Sequence, residues 1–262
     1  MTYRKLLAVA SAALAITTVA LGLVANVSAA DKYEVIYNIG GAAAGAGPLG
    51  GSISDAAGNL YGTTSNGGAH NNGTVFKLSP DTNGEWTETV LHSFQGPPDG
   101  ANPAASLIFD RVGNLYGTTL NGGVASFLGF GVVFKLSHEA SGEWTETVLH
   151  IFQTTGPPKF QSPGGSRPQA RLIFDRAGNL YSTTSYGGPS SNGGVVFKLS
   201  PEPNGRSTET VLHNFQGLPD GATPTGALII DAAGHLYGTT SAGGNSDNCF
   251  IGGCGTVFQI TP

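Results

Sequence analysis

Charge is scarce in this chain: 11% of its 262 residues are Asp, Glu, Lys or Arg, which excludes a coiled coil or a solvated polyelectrolyte. Basic residues are scarcer still, 12 against 17 acidic for a net charge of -5, so nothing is left over to neutralise phosphates and nucleic acid is excluded as a partner. Cysteine occurs twice, which permits one bridge at most. Beyond residue 30 no run is apolar enough to span a membrane. Also missing are Gly-x-Ser-x-Gly, His-Glu-x-x-His and any phosphate-cradling glycine loop opening a helix, so no cofactor is expected. What the chain has in abundance is glycine, 41 residues, together with 15 Pro, 13 Phe and 8 Tyr. Such a composition supplies many tight turns around an aromatic core and suggests short strands in an all-β fold.

The first thirty residues stand apart. Arg4 and Lys5 precede an apolar, Ala-rich run from Leu6 to Val24, and Val27-Ser28-Ala29-Ala30 ends in small residues, the pattern of a secretory signal. Cleavage after Ala29 or Ala30 divides the chain into a 1–30 signal peptide and a single 31–262 domain with a net charge of about -7. No Cys follows the cleavage site to take a lipid, so the mature chain is expected to be secreted or periplasmic, with no membrane span and as a monomer. An uncleaved anchor is the competing reading, diluted by Ser11, Thr17 and Thr18.

Self-comparison carries the most information. Gly58-Asn59-Leu60-Tyr61-Gly62-Thr63-Thr64 returns at 113–119, at 178–184 with Ser182 for Gly, and at 234–240 with His235 for Asn. The spacings are about 55, 65 and 56 residues, the long one owing to an insertion at 157–167. Three further phrases recur in step. They are Leu107-Ile108-Phe109-Asp110 before the Gly-Asn-Leu-Tyr, Gly73-Thr74-Val75-Phe76-Lys77-Leu78 after it, and then Thr89-Val90-Leu91-His92-Ser93-Phe94. Each is a β-branched and aromatic run bounded by Gly, Pro, Asn or Asp, so each repeat reads as four strands. Four-stranded units repeated radially make a β-propeller, here of four blades. Glu34-Val35-Ile36-Tyr37-Asn38-Ile39 lines up with the outer strand, and the fourth repeat stops after its third strand. The expectation is therefore a ring closed by the N-terminal strand, residues 33–39 pairing beside residues 256–261.

These phrases, with the Gly-Gly pair between them, resemble the GloVer repeat of the choice-of-anchor tandem-repeat proteins over nearly all of the mature chain. The resemblance implies a bacterial, extracytoplasmic protein without an established activity, and so brings no catalytic residues. It also implies a sorting or anchoring tail, of which the residues before Pro262 show no sign.

Four residue groups were weighed as sites. Asp55, Asp110, Asp175 and Asp231 each stand three residues before a Gly. A hairpin explains this in every repeat, the carboxylate accepting backbone N–H groups while Gly supplies a positive φ; a ring of carboxylates around Ca²⁺ is the alternative. His92, His150 and His213 share one outer-strand position, too splayed to meet one zinc, and alternation suggests half-buried packing beside Val90 and Phe94. Trp86 and Trp144 begin outer strands, where packing is favoured over sugar stacking. Loops that differ between repeats are the better place for specificity, because an asymmetric ligand needs asymmetric groups. The candidate binding residues are Asp99, Asn102, Arg167 and Asp220, for a glycan, peptide or surface protein partner. An alternative is a polysaccharide-acting enzyme, a hydrolase or lyase, with Asp99 and Asp220 as its carboxylate pair. Cys249 and Cys254 flank Gly252-Gly253 and are expected to form a disulfide after export.

Overall fold

The computed structural model describes residues 33–41, 43–124, 129–154, 162–189, 193–245 and 253–261. The chain divides into Met1–Tyr37 and Asn38–Pro262. Of the first unit, residues 33–37 carry no strand; the second holds four antiparallel sheets. Sheet 1 comprises β1 (Ile53–Ser54), β2 (Leu60–Thr64), β3 (Thr74–Pro80) and β4 (Trp86–Ser93). Sheet 2 comprises β5 (Gly100–Pro103), β6 (Ile108–Phe109), β7 (Leu115–Gly122), β8 (Val132–His138) and β9 (Trp144–Ile151). Sheet 3 comprises β10 (Ile173–Phe174), β11 (Leu180–Thr184), β12 (Val195–Pro201) and β13 (Ser207–Asn214). Sheet 4 comprises β14 (Ile229–Ile230), β15 (Leu236–Thr240) and β16 (Thr256–Ile260).

The repeated sequence explains the repeated hairpins. Asp55 Oδ1 accepts the N–H groups of Ala57 and Asn59 at 2.9 and 3.0 Å, and Oδ2 accepts Asn59 Nδ2 at 2.7 Å and Tyr61 Oη at 3.0 Å. Gly58, at φ +82°, closes the turn from β1 to β2. The same four bonds form at Asp110, Asp175 and Asp231, with His235 Nδ1 in place of the Asn amide. Both oxygens of each carboxylate are thus used inside its own turn, as the hairpin reading required. At the far end of the second strand, Thr64 Oγ1 donates to Asn66 O at 3.0 Å and accepts the Thr74 N–H at 3.1 Å, pinning β2 to β3. Gly62 lies under the Phe76 ring, where a Cβ would come within 2.6 Å of Cζ. Gly117 and Gly238 do the same beneath Phe134 and Phe258.

Neighbouring sheets bury one face of each against the next. Val75, Val133 and Val196 are fully buried, and each packs in a cluster with the leucines of the following sheet: Leu107 and Leu115, then Leu172 and Leu180, then Leu228 and Leu236. Each such burial contributes on the order of 1.5–3 kcal/mol. The corresponding residue of sheet 4, Val257, is 83% exposed.

Three expectations change. The four sheets do not close into a ring: residues 33–40 form no strand, and among the described residues β16 pairs with β15 alone. Residues 100–103, expected to be loop, pair with β7 as a fifth strand in sheet 2, because Gly100 and Ala101 meet Gly122 and Asn121 without a side-chain clash. Strict alternation fails in β4: a bulge sets Val90 opposite Phe76 and His92 opposite Val75, so His92 and Val90 lie on opposite faces. The 1–30 signal segment and Cys249 lie outside the described residues, and with them the expected cleavage and disulfide. No helix among the described residues is long and apolar enough to cross a membrane.

Candidate functional site

The bulge in β4 turns His92 toward the seam between sheets 1 and 2. Its ring meets Phe94 edge-on at 4.7 Å, the packing expected of it, and His150 and His213 repeat the contact with Phe152 and Phe215. The other side of His92 faces two carboxylates. Asp99, on the turn after β4, lies 3.2 Å from Nε2, and Glu146, from β9 of the next sheet, lies 3.9 Å away. Asp99 Oδ2 also accepts the Gln95 N–H at 2.7 Å. Burial pushes the Glu146 carboxyl far up, and the Asp99 carboxylate beside it adds to the shift. Burial alone would raise Asp99 too, but hydrogen bonds from His92, Glu146 and the Gln95 amide outweigh it and hold Asp99 below the ordinary carboxylate range.

The next two seams keep only part of this arrangement. His150 meets Glu209 at 3.5 Å, but Gly164 stands where Asp99 does. Burial lowers His150 to about 4 and raises Glu209 to about 7, so both are largely neutral in weakly acidic solution. In sheet 3, Asp220 meets His213 at 3.0 Å and accepts the Gln216 N–H at 3.1 Å, with no third carboxylate among the described residues.

Asn102, Arg167 and Thr223 occupy one position in successive repeats, each with φ at +56°. The N–H of each donates to a carbonyl of the preceding sheet's loop, Asn72, Phe130 and Gly193 respectively, at 2.7–2.9 Å. The backbone is thus fixed while the side chain varies. Asn102 spends its amide inside the protein, donating to Ser65 O at 2.8 Å and accepting from Asn121 Nδ2 at 2.9 Å. Arg167 instead lies exposed, its guanidinium 5.4 Å over the ring of Tyr186, which is 41% exposed. A concavity of about 1240 Å³ lies at the Asp-x-x-Gly turns, lined among others by Phe109, Tyr116, Phe174, Arg111 and Arg176.

Of the four residues singled out from sequence, the structure presents Arg167 to solvent, consumes Asn102 in loop bonding, and holds Asp99 and Asp220 in separate histidine-linked turns. Asp99 and Asp220 each bond the histidine and the backbone of their own turn, His92 with the Gln95 N–H and His213 with the Gln216 N–H. Trp144 packs into the seam against Tyr61 and His138, as expected. Two residues and one pairing escaped the sequence reading: Tyr186, which follows the Thr-Thr phrase where other repeats carry Asn66, Asn121 or Ala242; Glu146, read as a strand residue; and the partnership of His92 with Asp99. The invariant seven-residue offset between His92 and Asp99, repeated at His213 and Asp220, was the available signal.

Comparison with solved structures gives distant likenesses. A luciferin-regenerating enzyme matches at 16% identity and a TM-score of 0.46, over 81% of this chain and 60% of that one. PorZ, a surface component of the type-IX secretion system of Porphyromonas gingivalis, matches at 17% identity and a TM-score of 0.45, over 80% of this chain and 27% of that one. A Thermus thermophilus putative glucose dehydrogenase matches at 16% identity and a TM-score of 0.29, over 78% of this chain and 79% of that one. The chain thus spans less than two thirds of the first two. A search of curated proteins returned no match. The family model of the Gloeobacter/Verrucomicrobia repeat matches residues 12–258, in keeping with the GloVer phrases of the sequence. The chain is therefore a repeat protein with a β fold, and it belongs to the Gloeobacter/Verrucomicrobia repeat family.

Proposed function

We propose that this is an exported, non-enzymatic binding protein whose four sheets are propeller blades and whose inter-sheet loops hold a glycan. The observation that carries the reading is Arg167 over Tyr186 at a backbone position that every repeat builds alike. A shared scaffold with a varied side chain is how a repeat array acquires a single asymmetric site. An exposed ring offers its face to the apolar face of a sugar, and the adjacent guanidinium donates hydrogen bonds to hydroxyls or a carboxylate. Export rests on the 1–30 signal pattern, which places the chain outside the cytoplasm and lets Cys249 and Cys254 pair. Ring closure belongs to the same reading. The segment 34–39 has the outer-strand pattern, and Val257 is exposed where its three counterparts are fully buried, so a strand added at β16 would complete the fourth blade.

A glycan array probed with the exported protein tests the function. The expected result is retention of a defined glycan set, weakened at least about tenfold by Arg167→Ala or Tyr186→Ala with the fold intact. Binding unaffected by both substitutions would move the site elsewhere. The enzymatic alternative draws on the closeness of two half-buried carboxyl groups, Glu146, which burial pushes up, and Asp99, which its hydrogen bonds hold low. Release of product that Asp99→Ala abolishes would favour it.

A further inference from the structure

We propose that His92, Asp99 and Glu146 bind one divalent transition-metal ion, zinc foremost, in the seam between sheets 1 and 2. Each residue offers one ligand atom, and the three atoms lie within 4.8 Å of one another. Ligands at bonds of about 2.1 Å in tetrahedral array stand roughly 3.4 Å apart. His92 to Asp99 at 3.2 Å and His92 to Glu146 at 3.9 Å bracket that value, and the third separation lies within 4.8 Å.

The seam shields the donors from water. The side chains of His92, Asp99 and Glu146 are 15%, 13% and 13% exposed. Glu146 Oε1 is cut off from solvent and has no hydrogen-bond partner, a state that Glu209 Oε1 and both Glu88 oxygens share at the equivalent positions; at Glu146 a cation bound through both oxygens would satisfy it. One imidazole and two carboxylates form a mixed nitrogen and oxygen set, suited to zinc, manganese or iron; calcium would ask for six or more oxygens.

The repeats supply internal controls. Sheets 2 and 3 meet with His150 and Glu209 but with Gly164 in the aspartate position, and sheet 3 offers His213 and Asp220 without the glutamate. Three ligands converge at one seam alone among the described residues. Such a clamp would tie β4, the turn after it and β9 together across two sheets.

Equilibrium dialysis of untagged, chelator-stripped protein against Zn²⁺, with Ca²⁺ in parallel, is the test. The expected result is one Zn²⁺ per chain and no stoichiometric Ca²⁺, with affinity reduced at least about tenfold by Asp99→Asn and by Glu146→Gln and unchanged by His150→Ala. Should a substituted chain fail to fold, imidazole NMR on the parent gives the same answer: Zn²⁺ must shift the His92 ring resonances and leave those of His150 and His213 in place. Absence of stoichiometric Zn²⁺, binding that survives the Asp99→Asn/Glu146→Gln double substitution, or an imidazole shift at His150 or His213 in place of His92 would each overturn the proposal.

Discussion

A single tyrosine hydroxyl ties the Asp-x-x-Gly turn to the strand that follows it, and so links the turn to pH. Burial, and then the hydrogen bond to Asp55 or Asp175, pushes Tyr61 and Tyr181 up to about 12, against 10 for an ordinary tyrosine; Tyr116 moves the same way beside Asp110. Between those values the folded chain keeps protons that the unfolded chain has released, so stability falls as pH rises above about 10. On the acid side, burial alone would raise Asp55, Asp110 and Asp175, but the Asn side chain and backbone donors outweigh it and hold all three below 3.8. Their contribution is present above the unfolded value and is lost as pH falls through the folded one. Tyr181→Phe is expected to cost about 1 kcal/mol at neutral pH, read by denaturant melts. A Tyr61→Phe/Tyr116→Phe/Tyr181→Phe chain should lose the alkaline slope between pH 9 and about 11.5; an unaltered slope would contradict the role given to these hydroxyls. The turn was legible in the sequence because Asp, Asn and Gly all lie within five positions. The His92, Asp99 and Glu146 grouping was not, because Glu146 arrives from another repeat and the bulge at Leu91 reverses the alternation by which His92 would be placed.

Strands and hairpins followed the recurring phrases closely, since β-branched runs between glycine and aspartate turns leave little choice of register. Pairing that depends on neighbours was less visible. Residues 100–103 pair with β7 although Pro103 and Gly100 read as loop, and the equivalent contacts elsewhere shrink to single bridges, Ala46 with Asn66, Ser166 with Tyr186 and Ala222 with Ala242. The outer-strand character of residues 34–39 was plain, yet those residues form no strand, and Tyr33 is 88% exposed. The proposed closure makes a sharp prediction. If the fourth blade takes that strand in solution, deleting residues 31–39 and substituting Val257→Asp should each lower the melting temperature by several degrees, on the order of 1–2 kcal/mol of lost burial. Melting curves that match the parent would show that β16 stays an edge. A smaller effect is expected at the other end of sheet 4. If Cys249 and Cys254 pair as proposed, the bridge closes a loop of only a few residues and is worth about 2 kcal/mol by chain entropy, so reduction should leave the circular dichroism of the sheets unchanged; wholesale unfolding on reduction would contradict a local role.

Across the whole molecule, a repeated scaffold carries unrepeated side chains, and the site follows from the difference. Four repeats fix the same positive-φ loop position, whereas Gly47, Asn102, Arg167 and Thr223 give it four chemistries. The repeat and the β fold could be read from spacing alone, because each seam between neighbouring sheets demands the same residues. The binding group could be read only halfway: Arg167 stood out in the insertion, but its partner Tyr186 lies nineteen positions on, brought opposite by the Ser166 to Tyr186 bridge. Hydrogen–deuterium exchange with and without a glycan retained by the array tests the account most directly. It predicts protection at residues 162–168 and 184–189, abolished in Arg167→Ala, with the turns at 110–116 and 175–181 unchanged. Protection confined to those turns, around the concavity they line, would contradict it.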